Sequence, residues 1–278
     1  MSCTPVTVTA PDGAALTACT HGGHVLGWVP VGGAQRLWLS PTAECGPGRA
    51  IRGGVPVIFP QFAGRGPLPK HGFARDRAWQ RVDGCPAGTW AATLRDDEQT
   101  RALWPYAFEL RLTATVAAQE LTIDLEVRND GAQPFEFTAA LHGYLVVRDP
   151  HAELAGLGGL HAQDNARPEP ADDGDPVWLG APGESVPALQ PRDVSLLGAT
   201  DPVDLVDGTL GRLTLTAEAF TDRVVWNPGP GHGLADVPAG AEAGFVCVEA
   251  ARLTPVTLPA GATWTGRQTL RAEPSVAL

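Results

Sequence analysis

Alternation of apolar and polar residues dominates this chain, and helical periodicity is scarce. Residues 110–116 and 121–128 are the clearest cases, because each carries an apolar side chain at every second position. A β-strand has a side-chain period of two, so each segment would bury one face and leave the other face exposed to solvent. The short gap between the two segments predicts an antiparallel hairpin.

Short strand signals recur along the rest of the chain, at residues 5–10, 14–19, 88–94, 135–147, 210–217, 222–227, 244–250, 254–258 and 263–271. The chain also contains 33 glycines and 26 prolines, which break regular elements and mark turns. The stretch from His161 to Arg192 is rich in Pro, Asp, Gly and Ala and predicts a long irregular excursion over the sheet. We expect an all-β fold, a large antiparallel β-sandwich with few short helices, built by residues 1–278 as one domain.

Cysteine usage and net charge limit the compartment and the partners. The five cysteines are odd in number, widely spaced and free of any Cys-x-x-Cys pair, which argues against a disulfide framework or a zinc knuckle. The first residues show no signal-peptide pattern, and no run approaches the roughly 18 apolar residues of a membrane span. A net charge of −11 disfavours nucleic acid and anionic membranes as partners. We expect a cytoplasmic monomer.

Residues 52–81 form a basic, Gly/Pro-rich island in this acidic chain. The island holds six Lys and Arg against one acid, Asp76, for a balance of +5, whereas the other 248 residues have a balance of −16. Cations gathered around a histidine on a glycine-rich backbone predict a small anion site, and phosphate matches the planar fork of arginine. The alternative is a solvated surface loop.

Several familiar chemistries lack their residues here. Lys70 is the only lysine and precedes a histidine, which excludes a Walker-type loop and a kinase signature, and leaves Schiff-base chemistry to one residue in a very basic neighbourhood. None of the five serines lies in a Gly-x-Ser-x-Gly elbow, and residues 229–233 lack the dinucleotide-binding spacing. His21 and His24 are too close for a helical metal pair, so a loop or strand end is the better interpretation. We expect no metal and no cofactor.

Two charged or titratable residues interrupt strands of mostly apolar residues. His142 lies within 138–147, and Glu249 is the only charged residue of 245–251. A carboxylate in a buried strand costs several kcal/mol unless it is paired or strongly hydrogen-bonded. Two structural alternatives stand beside a catalytic role: a satisfied core histidine at 142, and a buried ion pair between Glu249 and Arg252.

The longest motif of the chain runs through the island. Ile51–Phe62 reads Ile-Arg-Gly-Gly-Val-Pro-Val-Ile-Phe-Pro-Gln-Phe, and it is followed by Leu-Pro-Lys-His-Gly-Phe-Ala-Arg at Leu68–Arg75 and by Trp79. Shorter motifs flank it in order, at Thr20–Trp28, Leu141–Tyr144, Thr200–Leu205, Val225–Pro228 and Phe245–Glu249. Together they closely resemble the hexose-6-phosphate mutarotases, the glucose-6-phosphate 1-epimerases of the aldose 1-epimerase superfamily. The matching blocks span from about residue 18 to 250, which is most of the chain.

This resemblance implies a galactose mutarotase-like supersandwich that interconverts the α and β anomers of a hexose 6-phosphate. The ring opens, the bond between C1 and C2 rotates, and the ring recloses on the other face. Glu249 would be the general base on the O1 hydroxyl and His142 the general acid to the ring oxygen, with His71 hydrogen-bonding the sugar. This division of roles needs an ionised Glu249 and a protonated His142 near neutral pH, facing each other across about one pyranose ring.

The resemblance also implies where the substrate is held. Arg52 and Arg75 would bind the phosphate group, and Gln61, Lys70 and Asp201 would bind phosphate or sugar hydroxyls. The partner would be a small-molecule sugar phosphate, with no nucleic acid, membrane, metal or cofactor.

Two departures from the family pattern lie near the expected sugar cleft. Pro202 and Asp204 stand where Arg and Tyr are usual, and Gly229 stands where Trp is usual. These changes leave open a non-catalytic sugar-phosphate-binding protein on the same fold. A second alternative is a mutarotase for unphosphorylated aldoses, which would keep His142 and Glu249 but would have no use for the cationic island.

Overall fold

The computed structural model describes residues 4–165 and 177–273, and strands make up most of its regular structure. The strands before the middle of the chain are β1 Val6–Thr9, β2 Ala15–Cys19, β3 His24–Val29, β4 Val57–Ile58, β5 Gln80–Arg81, β6 Thr89–Arg95, β7 Phe108–Ala117, β8 Glu120–Asn129, β9 Phe135–Leu141 and β10 Tyr144–Val146. The later strands are β11 Glu153–Ala155, β12 His161–Asp164, β13 Val177–Trp178, β14 Val186–Pro187, β15 Arg192–Leu196, β16 Val203–Asp207, β17 Gly211–Glu218, β18 Asp222–Asn227, β19 Phe245–Leu258 and β20 Thr263–Glu273. The described helical elements are one α-helix, α1 Glu98–Leu103, and two 3₁₀ turns, Ala74–Asp76 and Ala241–Gly244.

The named strands pair antiparallel in three sheets. The largest has the order β14-β11-β16-β17-β20-β8-β7-β6-β5, and the second has the order β13-β12-β15-β18-β19-β9-β4, with β10 also pairing β19. A small third sheet has the order β1-β2-β3. The predicted all-β antiparallel sandwich is therefore confirmed. Among the described residues, no helix is long and apolar enough to cross a membrane.

One apolar core lies between the two large sheets. Leu112 and Leu125 of the nine-stranded sheet and Val248 and Ala250 of the eight-stranded sheet belong to the same buried cluster. Because side chains alternate along β19, Glu249 lies on the opposite face of the eight-stranded sheet. We call this face the site face, and on it lie Glu249, Cys247, Tyr144, Trp226 and Asp193.

The predicted hairpin is confirmed. β7 and β8 pair antiparallel, with Leu112 opposite Leu125 and Val116 opposite Leu121. All four of these side chains are buried, whereas Thr113 on the other face is half-buried.

Three other sequence-based expectations need correction. The segment 135–147 is two strands, because the chain leaves the ladder at His142–Gly143. Residues 244–258 are almost one strand, β19, with an irregularity between Arg252 and Val256 instead of a break. The segment from His161 to Arg192 was expected to be irregular, but it contains the short strands β12, β13 and β14, which belong to the two large sheets. Its residues 166–176 lie outside the described residues.

The first part of the basic island is packed and is not a solvated loop. Gly53 through Phe62 are buried, and Val55 N–H donates to Val25 O at 2.8 Å. Gly54 has a φ of +62°, and a Cβ there would lie 2.3 Å from Val25 O. Only glycine fits such a close approach of two backbones. The loop alternative survives only for residues 64–70, which are mostly exposed.

Truncation of the hairpin core should destabilise the protein. Leu112→Ala removes a fully buried side chain, so we expect the free energy of unfolding to fall by about 2–5 kcal/mol. Thr113→Ala, one residue along on the wet face, should change it by about 0.5 kcal/mol or less. Urea unfolding of both variants measures the difference, and similar losses would show that the two faces are not distinguished by burial.

Candidate active site

His142 and Glu249 are in direct contact on the site face. His142 Nε2 lies 3.2 Å from Glu249 Oε1, and both side chains are buried. The alternative of an ion pair between Glu249 and Arg252 is not found among the described residues, because the Arg252 guanidinium donates to Thr221 Oγ1. The expected gap of one pyranose ring between the two groups is also wrong, because two buried polar groups on one face satisfy each other.

The basic island holds the segment that carries His142. The N–H of His142 donates to Pro56 O at 3.0 Å, and the N–H of Tyr144 donates to Gly54 O at 2.9 Å. These bonds replace the regular ladder where the chain turns out of β9. They place the imidazole above the site face, beside the end of the island.

His142 is not a satisfied core histidine. Its Nδ1 is buried and has no hydrogen-bond partner among the described residues, and the same is true of Glu249 Oε2. Burying such atoms without a partner costs about 1–3 kcal/mol each. A role in binding or catalysis is one explanation of such atoms in a native structure.

Burial controls the charge of the pair. Together with the charges of Arg75 and Arg52, it lowers the pKa of His142 to about 3. Burial also raises the pKa of Glu249 well above its ordinary value, and the charge of Asp193 acts in the same direction. In the free protein, burial therefore favours the neutral form of each of the two groups. The expectation of a protonated His142 and an ionised Glu249 considered their mutual attraction and left out burial, and both pKa shifts of the free protein run against it.

His71 lies next to the pair in a strained backbone conformation. Its ring centroid is 5.8 Å from that of His142, and its φ is +69°, which is rare for a residue other than glycine. Two bonds to Ala63 hold it there: His71 N–H donates to Ala63 O at 2.9 Å, and Ala63 N–H donates to His71 Nδ1 at 3.2 Å. An Nδ1 that accepts leaves the proton of the neutral ring on Nε2. His71 is therefore a neutral hydrogen-bond donor.

Tyr144 connects Arg52 to the pair. The Tyr144 and His142 rings stack with centroids 4.9 Å apart, and Arg52 Nη1 donates to the Tyr144 hydroxyl at 2.9 Å. On its other side, Arg52 Nε donates to Asp236 Oδ2 at 3.0 Å. The guanidinium also lies 6.0 Å from the centroid of the Trp226 ring. Three neighbours, Tyr144, Asp236 and Trp226, thus hold this cation in one orientation.

Arg75 shares a pocket with Arg52. Both line a pocket of about 520 Å³ whose wall also includes Pro56, Tyr144 and Asp236. Arg75 Nη2 donates to Lys70 O at 3.1 Å, and no described carboxylate forms a salt bridge with Arg75. The charge of Arg52 acts with burial to lower the pKa of Arg75. Two cations on the wall of one pocket form a site suited to an anion.

The remaining predicted residues lie in three different surroundings. Gln61 is buried and uses its amide within the island, donating to Ala63 O and Leu68 O and accepting from Leu68 N–H. Lys70 is exposed, and its charge helps to lower the pKa of His71. Asp201 is exposed, and its negative charge opposes the effect of burial on the pKa of Arg223. No hydrogen bond among the described residues joins Asp201 to His142, Glu249 or the two arginines. Their roles toward a substrate remain predictions.

Sequence reasoning assigned no role to Tyr144, Trp226 or Asp236. A signal exists for Tyr144, because it follows His142 by two residues near a strand and therefore shares its face. Trp226 stands within a motif, but only the pairing of β18 with β19 shows that it faces the site. Asp236 lies in a loop, and its sequence neighbourhood carries no signal.

Comparisons with known proteins identify the family of this chain and agree with its fold. The family model of aldose 1-epimerase matches residues 5–271. The chain belongs to the aldose 1-epimerase family. A relative from Cenchrus ciliaris, named "Putative glucose-6-phosphate 1-epimerase", is 31% identical over 274 residues, which cover 92% of this chain and 80% of the relative.

Solved structures share the fold. One is the crystal structure of YeaD from Salmonella typhimurium, described as a putative mutarotase, with a TM-score of 0.85 and 28% sequence identity. The match covers 98% of this chain and 91% of the YeaD chain. A galactose mutarotase-like protein from Lactobacillus casei has a TM-score of 0.77 at 18% identity over 97% of this chain and 100% of its own, a likeness of fold alone. This aldose 1-epimerase is thus an isomerase with the galactose mutarotase-like fold.

Replacing His71 should change how stability depends on pH. Burial and the nearby cations lower the pKa of folded His71 to about 2, whereas an unfolded histidine takes up a proton near pH 6.5. The unfolded state therefore binds one more proton between these values, so this contribution to the free energy of unfolding is full above about pH 6.5 and is lost as the pH falls. Asn tolerates the left-handed conformation and can accept from Ala63 N–H.

We expect the slope of unfolding free energy between about pH 6 and pH 4 to be smaller in His71→Asn by about 1.4 kcal/mol per pH unit. Urea unfolding at several pH values measures it. An unchanged slope would contradict a neutral His71 in the folded protein.

Proposed function

We propose that this aldose 1-epimerase interconverts the α and β anomers of a hexose 6-phosphate, and that glucose 6-phosphate is the first substrate to test. The observation that carries the proposal is the placement of Arg52 and Arg75 on one pocket wall beside Tyr144, which stacks on His142. An unphosphorylated sugar has no group that requires two cations. The name of the Cenchrus ciliaris relative points to the same substrate class.

The phosphate group would lie between the two arginines. A phosphate dianion offers several acceptor oxygens, and a guanidinium binds such oxygens with parallel hydrogen bonds. Arg52 is oriented by Tyr144 and Asp236, so it loses little side-chain freedom on binding. Arg75 forms no salt bridge with a described carboxylate, so the phosphate would be its anionic partner.

Binding of the phosphate prepares the acid and the base. Arg75 and Arg52 both lower the pKa of His142 in the free protein, and a bound dianion offsets their charge. The pKa of His142 then rises toward that of Glu249, and the proton passes from the carboxyl group to Nε2 across the 3.2 Å contact. The result is a carboxylate beside an imidazolium, the two states that the reaction needs.

The reaction then uses one base and one acid. Glu249 takes the proton from the O1 hydroxyl while His142 gives its proton to the ring oxygen, so the bond between C1 and the ring oxygen breaks and C1 becomes an aldehyde. Rotation about the bond between C1 and C2 turns the other face of the carbonyl to the C5 hydroxyl. Reclosure reverses both proton transfers and restores Glu249 and His142. His71 donates from Nε2 to a sugar oxygen near C1.

Removal of either proton carrier should stop most of the catalysis. Glu249→Gln and His142→Asn keep the approximate shapes, and each should lower kcat by roughly 10² to 10⁴-fold. The double variant should be little worse than either single variant, because the two residues act as a unit. Polarimetry on freshly dissolved glucose 6-phosphate measures the rates. Near-normal turnover by folded Glu249→Gln would remove Glu249 from the mechanism.

The arginine substitutions test the substrate. Arg52→Ala and Arg75→Ala should each weaken binding of glucose 6-phosphate by roughly 1.5–3 kcal/mol, the range for a charge-assisted hydrogen bond, and leave anomerisation of glucose nearly unchanged. Arg81→Ala is the matched control, because Arg81 belongs to the island but is exposed and pairs with Asp83. Equal losses on both sugars would mean that these arginines support the fold.

The two alternatives predict different rates in the unmodified protein. A mutarotase for unphosphorylated aldoses would act on glucose at least as fast as on glucose 6-phosphate. A non-catalytic binding protein would accelerate neither anomerisation. Side-by-side polarimetry on the two sugars separates all three functions.

A further inference from the structure

The buried Gln61 closes the loop that leads to His71. Its amide pairs with Leu68 in both directions: Leu68 N–H donates to Gln61 Oε1 at 2.9 Å, and Gln61 Nε2 donates to Leu68 O at 3.1 Å. The side chain thus pairs with the backbone as a peptide group of a second strand would. The loop passes so close to the amide that a Cβ at Gly66 would overlap Gln61 Oε1. Gln61 therefore fixes the path of residues 62–68 from inside.

A second hydrogen bond of the amide reaches the residue that holds His71. Gln61 Nε2 donates to Ala63 O at 3.0 Å, and the same oxygen accepts from His71 N–H at 2.9 Å. Ala63 N–H, on the other side of this residue, donates to His71 Nδ1 at 3.2 Å. A chain of hydrogen bonds therefore runs from the Gln61 side chain through Ala63 to both the backbone and the ring of His71.

Both residues at this joint have a left-handed backbone conformation. The φ angle is +48° at Ala63 and +69° at His71. Residues other than glycine rarely adopt this region, and they persist there only where their surroundings hold them. The start of the loop is fixed separately, because Phe62 N–H donates to Thr138 Oγ1 of β9 at 2.7 Å. Beyond that point, the hydrogen bonds of Gln61 supply the support that the two left-handed residues need.

The conformation of Ala63 decides what the His71 ring can offer. Ala63 N–H occupies Nδ1 only while the backbone points at the ring, and this leaves the proton of the neutral ring on Nε2. The ring also packs against those of Phe62 and His142, with centroids 5.2 Å and 5.8 Å away. A hydrogen-bond donor beside an acid and a base is effective only when its orientation is fixed in advance.

Gln61 itself has no free donor for a substrate. A glutamine amide carries two N–H groups, and both are used here, on Ala63 O and on Leu68 O. The residue is only 5% exposed. A direct contact between this amide and a sugar or a phosphate would therefore open the loop.

We propose that Gln61 is a positioning residue for the anomerisation: it holds Ala63 in the left-handed conformation and thereby aims the Nε2–H of His71 at the sugar. The inference rests on the donor role of His71 in the proposed function, but not on the phosphate or on the identity of the sugar. Gln61 then acts on catalysis through His71 and does not bind the substrate.

A cycle between Gln61 and His71 tests this role in catalysis. Gln61→Met keeps the length of the side chain and loses its hydrogen bonds, so we expect kcat to fall by about 10- to 100-fold, the effect of a misplacement of about 1 Å. KM for glucose 6-phosphate should change less than about threefold, because Arg52 and Arg75 are untouched. The double variant Gln61→Met/His71→Asn should be no slower than His71→Asn, since the two residues act as a unit. Additive losses of kcat in polarimetry would overturn the proposal.

Nuclear magnetic resonance of protein labelled with ¹⁵N-histidine tests the same role without a substrate. The signals of His71 are assigned by their loss in His71→Asn. In the unmodified protein we expect a protonated Nε2 and an unprotonated Nδ1 that do not change between about pH 5 and pH 8. Gln61→Met should show exchange between the two tautomers and a titration in this range, because a released ring regains contact with water. An unchanged His71 spectrum in folded Gln61→Met would overturn the proposal.

Gln119→Met is the matched control. Gln119 lies in the turn between β7 and β8 and also donates from Nε2 to a backbone carbonyl, Val31 O, at 2.9 Å. Its variant should change neither kcat nor the His71 spectrum, and a loss equal to that of Gln61→Met would overturn the proposal. If Gln61→Met does not fold, Gln61→Glu carries both measurements, because it keeps the shape but cannot donate two hydrogen bonds. If the unmodified protein does not act on glucose 6-phosphate, the hexose 6-phosphate proposal fails, and the spectrum still decides the role of Gln61.

Discussion

The site depends on two backbone hydrogen bonds between the basic island and the segment after β9. The carbonyls of Gly54 and Pro56 accept from the N–H groups of Tyr144 and His142, which join two parts of the chain about ninety residues apart. Because Gly54 lies against Val25 O with no room for a Cβ, the island approaches the sheet closely enough to make these bonds. They set the position of the imidazole and, through Tyr144, that of Arg52.

Burial is the second constraint, and it explains the charge states of the site. A buried site disfavours both the imidazolium and the carboxylate, and the nearby arginines disfavour the imidazolium further. In the free protein both pKa shifts therefore favour the uncharged forms, and the phosphate group of the proposed substrate would oppose the shift of His142. The proposed function thus links recognition at one end of the sugar to proton transfer at the other.

The two faces of β19 show how one strand serves both stability and chemistry. Val248 and Ala250 complete the core between the large sheets, whereas Glu249 and Cys247 lie on the site face. Period-two alternation alone required that neighbours on this strand face opposite ways. It could not say which face is covered, because the strand is apolar on both sides and the covering comes from loops distant in sequence.

The sequence by itself determined the fold class, the β7–β8 hairpin and its inward residues, and the candidate residues His142, Glu249, Arg52 and Arg75. Those conclusions follow from short-range patterns: alternation, turn residues, charge clustering and ordered motifs. Only the tertiary structure decided that His142 and Glu249 touch, that burial disfavours their charged forms, that Gln61 is used within the island, and that Tyr144, Trp226, Asp236 and Asp193 surround the site. The physical reason is that contact, desolvation and the field of neighbouring charges depend on which distant segments pack together, and a local pattern carries no record of that packing.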